Sequence, residues 1–204
     1  MASLTKRTRR DARDRKDELL TVASALATTV GIDGLRAEAI AEQANTSRPL
    51  IFHYFGNLGG LQHAVVEKVV GELLTAVSLS AHSPDQDPHK DGLNFEVSRE
   101  IIGAFLDHIE RNHKVWLDIW AGATRANLET QELLEQARTT IAHTFMSNLL
   151  RSADTPGTRN DLLAAGWIAM AEKMTMRWLN NPVLTRDEIA DTLLKSLRNH
   201  VELL

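Results

Sequence analysis

The sequence predicts an all-α protein. It is rich in Leu and Ala, runs of β-branched residues are scarce, and apolar residues recur at the three- and four-residue spacing of helices. Its 204 residues are 43% hydrophobic and 25% charged, as in a globular chain with a core of its own. Turn-forming residues divide the chain into about nine helices. We expect three of them to form an N-terminal head at 1–57 and the others to form a helical bundle at 58–204.

The first expected helix runs from about Ala12 to Val30, and Gly31 ends it. One apolar stripe follows its length, formed by Leu19, Ala23, Leu26, Ala27 and Val30. A basic arm precedes and overlaps this helix, with Lys6, Arg7, Arg9, Arg10, Arg13, Arg15 and Lys16. Such an arm can neutralise DNA phosphates. Because acidic residues are interleaved with the arm, a solvated tail is the alternative, and a membrane-surface role is disfavoured.

Two short helices, at about 37–44 and 47–54, are predicted to meet at a tight turn. Asn45 tolerates the left-handed conformation that ends helices, and Thr46 or Ser47 can cap the next helix. Pro49 falls in the first turn of that helix, where its missing N–H does no harm. This is the pattern of a helix-turn-helix, whose second helix enters a major groove of DNA. The side chains of the second helix that can touch DNA are Arg48, Phe52, His53 and Tyr54.

The bundle begins with a long helix at about 58–80, for which Asn57 is the expected cap, and residues 81–92 form the clearest loop. Thr185 and Glu188 form a capping box for the last helix. Apolar spacing and helix breakers place the remaining helices at about 93–111, 113–127, 129–152, 160–180 and 185–202.

Composition and charge narrow the functional classes. The chain has no Cys, no apolar run near the ~20 residues that span a bilayer, and no apolar stretch behind its basic start. We therefore expect a cytoplasmic protein without membrane contact. Residues 1–70 carry a net charge of +2 and residues 71–204 carry −6, which limits nucleic-acid binding to the N-terminal region. Because metal-ligand spacing and catalytic motifs are missing, we expect no enzyme activity, no metal and no cofactor.

Residues 12–61 resemble the DNA-binding domain of the TetR family of bacterial transcriptional regulators. The matching residues are Leu19, Leu20, Ala23, Gly31, Ile40, Ala41, Ala44, Ser47, His53, Tyr54, Phe55 and Leu61. The resemblance implies a helix-turn-helix head followed by a bundle that binds a small-molecule effector and forms a homodimer through the helices near 160–180 and 185–202. It also implies DNA contact by Arg48, Phe52, His53 and Tyr54, with Arg36, Thr46 and Ser47 near phosphates. The alternative for Phe52 and Tyr54 is packing in the head's core, and for the last two helices burial within one chain.

The chain departs from the family pattern at several positions in the head. Asn45-Thr46 stands where members usually have Gly-Val, and Phe52 stands where they usually have an aromatic hydroxyl. Leu58 replaces a common Lys, and Arg36 replaces a Thr that often caps the second helix. Two phosphate donors are therefore missing and one cation is gained. We expect these changes to affect the operator sequence and the basal affinity for DNA rather than the fold.

Large apolar side chains in the bundle are candidates for effector binding, because sites inside helical bundles are lined in this way. Ordinary core packing is the alternative for each of them. The candidates are Phe105, Trp116, Trp120, Trp167, Met170 and Met174.

The resemblance thus implies a ligand-responsive regulator, a repressor that binds an inverted-repeat DNA operator as a dimer and is released by a small-molecule effector. The alternative function is a helical small-molecule-binding protein or enzyme whose DNA-binding head is vestigial. A DNA-binding measurement discriminates between the two.

Overall fold

The computed structural model describes residues 2–81, 95–122, 126–150 and 158–201, with side chains described for 13–81, 95–122, 126–145 and 160–200. Within these ranges the regular elements are all helices, which confirms the predicted fold class. None of these helices is long and apolar enough to cross a membrane. The helices are α1 Ala2–Val30, α2 Ala37–Gln43, α3 Arg48–Phe55, α4 Leu58–Ala81, α5 Phe95–Arg111, α6 His113–Ala121, α7 Leu128–Leu150, α8 Thr158–Asn180 and α9 Arg186–Val201.

Two helix boundaries differ from the prediction by more than two residues. Helix α1 begins at Ala2 rather than near Ala12, because Ala, Lys and Arg favour helix and no Gly or Pro interrupts the basic arm. Helix α6 ends at Ala121 rather than near residue 127. Gly122 ends it with a left-handed φ of 99°, and its N–H donates to the carbonyls of Asp118 and Ile119. Most of the predicted loop at 81–92 lies outside the described residues.

The first compact unit comprises residues 1–69 and 112–131, and it contains α1, α2, α3, the start of α4, and α6. Helix α1 packs on α2 and on α6, while α2 packs on α3. Gln62 of α4 donates through Nε2 to the Ile32 carbonyl at 2.9 Å. Helices α1, α2 and α3 would bury little surface alone, and in this unit they share a core with α6 and the start of α4. The fully buried residues include Leu19, Ala23, Ala27, Leu35, Ile40, Ile51 and Leu61.

The second compact unit comprises residues 70–111 and 132–204, and in it α9 packs on α5 and on α8. Arg186 at the start of α9 pairs with Asp107 and Glu110 of α5. The predicted capping box of α9 is confirmed. The Thr185 N–H donates to Glu188 Oε2 at 2.7 Å, and the Glu188 N–H donates to Thr185 Oγ1 at 3.3 Å. The functional division at residue 57 stays a prediction, because α4 contributes residues to both compact units.

Candidate DNA-binding and effector sites

The turn between α2 and α3 has the geometry that the sequence predicts. Asn45 adopts a left-handed φ of 45°. Its N–H donates to the Glu42 carbonyl at 3.2 Å, and the Thr46 N–H donates to the Ala41 carbonyl at 2.8 Å. These two bonds form a Schellman motif, which satisfies the last carbonyls of α2. The turn therefore fixes α3 against α2 through the backbone, with Asn in the place that glycine most often takes.

The prediction that Thr46 or Ser47 caps α3 through its side chain is wrong. Ser47 is the N-cap residue, but its side chain makes no capping hydrogen bond. An N-cap side chain bonds the second or third N–H of a helix, and Pro49 at the second position has none. The third N–H, that of Leu50, donates instead to the Ser47 backbone carbonyl at 3.1 Å. The Ser47 side chain remains exposed at the N-terminus of α3.

Helix α3 has an inward face and an outward face. Ile51 and Phe55 are buried in the core of the first unit, whereas Arg48 and His53 are exposed. Phe52 and Tyr54 are half-buried, so neither is a full core residue. The His53 and Tyr54 rings meet edge to face, with centroids 5.3 Å apart. The outward face therefore presents a cation, an imidazole and two partly accessible aromatic rings.

Arg48 is held by two contacts that involve different helices. Its Nη1 lies 2.8 Å from Oε1 of Glu38, in the first turn of α2. Its guanidinium carbon lies 5.1 Å from the centroid of the Phe52 ring, a cation–π distance. Glu38 was not predicted as a site residue, because an acidic residue ten positions before an Arg carries no local signal. Only the angle between α2 and α3 brings the two side chains together.

The other predicted phosphate-proximal residues lie around the turn and the start of α2. The exposed Arg36 is the N-cap of α2, and its Nη1 donates to the carbonyls of Asp33 and Leu35, each at 2.8 Å. Its charge is thus anchored beside the helix N-terminus. Thr46 is half-buried in the turn, and Arg15 of α1 donates to the Ala44 carbonyl at 3.3 Å. Arg15 brings part of the basic arm to the turn.

Two polar contacts join α6 to the C-terminal end of α1 and to the turn that follows it. Lys114 donates through Nζ to the Thr29 carbonyl, and the Asp33 N–H donates to Asp118 Oδ2 at 3.1 Å. Gly31, between them, has a φ of 78°, and a Cβ added there would lie 2.1 Å from Asp118 Oδ2. The absence of a side chain at Gly31 therefore permits this junction. The sequence predicts Gly31 as the end of a helix and as a residue that matches the family, but it does not predict this contact with Asp118.

The effector candidates divide between the two units. Trp116 and Trp120 lie together in the first unit, with ring centroids 5.6 Å apart. The second unit contains the other four candidates, Phe105, Trp167, Met170 and Met174. Trp167 is buried, and its Nε1 donates to Ser196 Oγ at 3.1 Å, so part of its role is to pack α8 on α9.

Two buried polar atoms have no hydrogen-bond partner among the described residues. They are Oγ1 of Thr175, on the buried face of α8, and Nε1 of Trp120. Thr175 is fully buried and was not predicted, because a single Thr in a helix gives no sequence signal. Unsatisfied buried polar groups are uncommon in proteins. Among the described residues, no group of acidic and His side chains could hold a metal ion.

A helix-turn-helix with an exposed recognition helix, followed by a second helical unit, defines the class of DNA-binding transcriptional regulators. Residues 19–65 match the profile described as bacterial regulatory proteins, tetR family. Residues 96–198 match the tetracyclin repressor-like C-terminal domain. The chain belongs to the TetR family of transcriptional regulators, whose members bind DNA and small-molecule effectors.

Individual relatives agree with this assignment. The chain is 27% identical over 168 residues to the HTH-type transcriptional regulator BetI of Stenotrophomonas maltophilia, covering 80% of each chain. It is similar in fold to a tetR-family transcriptional regulator from Streptomyces coelicolor, with a TM-score of 0.80, 21% identity, and coverage of 94% of this chain and 82% of the other. It is also similar in fold to the multidrug binding protein EbrR complexed with proflavin, with a TM-score of 0.62, 14% identity, and coverage of 90% of this chain and 99% of the other.

Proposed function

We propose that this regulator is a dimeric repressor that binds an inverted-repeat operator in the cytoplasm and leaves it when a small molecule binds the bundle. The observation that carries the proposal is the outward face of α3, where Arg48 and His53 are exposed on a helix that the turn at Asn45 fixes against α2. Arg can bond guanine O6 and N7 together, and residues near helix N-termini bond phosphates. The proposed DNA contacts are Arg36, Thr46, Ser47, Arg48, Phe52, His53 and Tyr54.

The exposed face of α8 supports the proposed dimer. Leu162 is 72% exposed and Met170 is 36% exposed, although both are apolar. Ala165, Gly166 and Ala169 lie exposed between them, and a Cβ added at Gly166 would meet nothing within 4 Å in the described structure. Small residues allow close approach of another helix. A second copy packed here, together with α9, would hold two recognition helices about one DNA turn, ~34 Å, apart.

Effector binding is proposed to act through α4, whose first residues belong to the head's unit and whose later residues belong to the other unit. A ligand releases DNA only if it binds the released conformation more tightly, and the coupling is typically ~1–3 kcal/mol. EbrR, a structural relative, binds proflavin. We propose effector contact by some of the predicted residues, each within its own unit: Phe105, Trp116, Trp120, Trp167, Met170 and Met174.

Selection of bound genomic fragments by the purified protein tests the proposal. The expected result is enrichment of a short inverted repeat by the natural protein and loss of that enrichment in Arg48→Ala. Tyr54→Phe removes only a hydroxyl from a half-buried ring and should weaken binding without unfolding the head. Arg111→Ala is the control, because it removes the same charge from an exposed position on α5.

Two results would contradict the proposal. If the natural protein, confirmed as a dimer, enriches no sequence at low salt, the head is not a specific DNA reader. The alternative of a small-molecule-binding protein with a vestigial head would then stand. If Arg48→Ala and Arg111→Ala behave alike, Arg48 is not a base-reading residue.

A further inference from the structure

We propose that Glu38 is a specificity-determining residue, which orients Arg48 toward a base edge and keeps its guanidinium from binding phosphate indiscriminately. The inference rests on the proposed DNA-binding function and extends it to a residue on α2. It is carried by the ion pair between Arg48 Nη1 and Glu38 Oε1, at 2.8 Å, together with the Phe52 ring beside the same guanidinium.

The geometry restricts an otherwise flexible side chain. Glu38 fixes one edge of the guanidinium from α2, and Phe52, one helical turn after Arg48, supports its position from α3. The Schellman motif at Asn45 fixes the two helices relative to each other, so both contacts have a rigid base. A recognition side chain that is already oriented loses less conformational freedom when it binds.

The remaining donors of Arg48 suit a neutral acceptor better than an anionic one. Guanidinium has five N–H donors, and the Glu38 contact leaves several of them available. Guanine offers O6 and N7 as a neutral pair of acceptors in the major groove. A phosphate that approaches the same guanidinium also approaches the Glu38 carboxylate and is repelled. The pair therefore discriminates against backbone contacts, and such repulsive elements are a known source of specificity.

The charge of the pair also affects the salt dependence of binding. Both side chains are more than half exposed, at 57% for Arg48 and 63% for Glu38, so both are close enough to solvent to meet DNA. Together they carry no net charge, and Arg48 should release few counterions from DNA. Glu38→Gln leaves the Arg48 charge uncompensated. Each additional phosphate contact makes the slope of log affinity against log salt concentration more negative by about 0.9. It also tightens binding about fivefold to tenfold near 0.1 M salt.

The experiment measures the affinity of the full-length protein for its selected operator and for a scrambled duplex at several salt concentrations. Glu38→Gln should tighten binding to the scrambled duplex about fivefold to tenfold for each added contact. Glu38→Gln should also lower the ratio of the affinity for the operator to the affinity for the scrambled duplex, by about tenfold. The selected DNA sequences should show a weaker base preference at the position that Arg48 contacts. Glu42→Gln is the matched control, because it removes the same charge from an exposed position on α2 and should leave the ratio unchanged.

Glu38→Asp separates the charge from the contact. The shorter carboxylate keeps the negative charge but cannot hold Arg48 in the same place, so the base preference should weaken while the salt dependence stays near that of the natural protein. The inference is overturned if the natural protein selects an operator and both Glu38 variants keep its affinity ratio and base preference. If the natural protein selects no sequence, the proposed function itself fails.

Discussion

The junction between α1 and α6 gives a quantitative prediction for Gly31→Ala. Gly31 has a φ of 78°, and the left-handed conformation costs an L-residue about 1–2 kcal/mol. The new Cβ would lie 2.1 Å from Asp118 Oδ2 and 3.0 Å from its Cγ, so the Asp118 side chain must move. It then loses the hydrogen bond that it accepts from the Asp33 N–H at 3.1 Å, which contributes about 0.5–1.5 kcal/mol. The total loss in the free energy of unfolding should be about 1.5–3.5 kcal/mol.

Urea unfolding of four proteins measures this loss and its origin. Asp118→Ala removes only the hydrogen bond and should cost about 0.5–1.5 kcal/mol. In the double variant Gly31→Ala/Asp118→Ala the clash disappears, so its cost should be smaller than the sum of the two single costs. Additive costs, or a loss below about 0.5 kcal/mol for Gly31→Ala, would refute the argument that Asp118 occupies the space beside Gly31.

Three further predictions test other parts of the structure. Thr175→Val removes a fully buried hydroxyl that lacks a hydrogen-bond partner in the described structure. Thermal unfolding should therefore show a variant that is as stable as the natural protein or more stable. A loss of stability above about 1 kcal/mol would show that the hydroxyl is hydrogen-bonded. The backbone N–H of Thr185, and to a lesser extent its hydroxyl, lowers the pKa of Glu188, and nuclear magnetic resonance titration should show this lowered pKa. The ionised Glu188 carboxylate should therefore stabilise the fold fully above about pH 5, and this stabilisation should be lost as pH falls through the lowered pKa. Thr185→Ala removes the hydroxyl but keeps the N–H, so it should raise that pKa part of the way toward its ordinary value, and no change would contradict the contribution of the hydroxyl. Leu162→Glu should make the protein monomeric in analytical sedimentation, whereas Leu128→Glu, at another exposed Leu, should leave it dimeric. If both variants are dimers, the dimer interface lies elsewhere.

The local parts of the fold could be predicted from the sequence because each depends on neighbouring residues. Asn45 ends α2, and the pair Thr185 and Glu188 caps α9, as their residue types and spacing predict. The capping prediction for Ser47 was wrong because Pro49, at the second position of α3, has no N–H that the Ser47 side chain could bond. The start of α1 was placed too late because a charged, polar segment was interpreted as an arm rather than as a helix.

Contacts between distant segments could not be predicted in this way. The pairing of Glu38 with Arg48 depends on the angle between α2 and α3, and the contact of Asp118 with Asp33 depends on where α6 packs. Neither has a periodicity or motif that a single sequence reveals. The predicted DNA-contact residues lie on one compact unit, and their roles remain predictions until binding is measured.

The arrangement of the DNA sites that the natural protein selects tests the central claim most directly. A dimeric regulator with one recognition helix per subunit predicts two inverted half-sites whose centres are about 10 base pairs, or a multiple of one helical turn, apart. Recovery of such a pair, protected by one dimer, would support the account. Recovery of single half-sites without a partner, or of no common sequence, would contradict it.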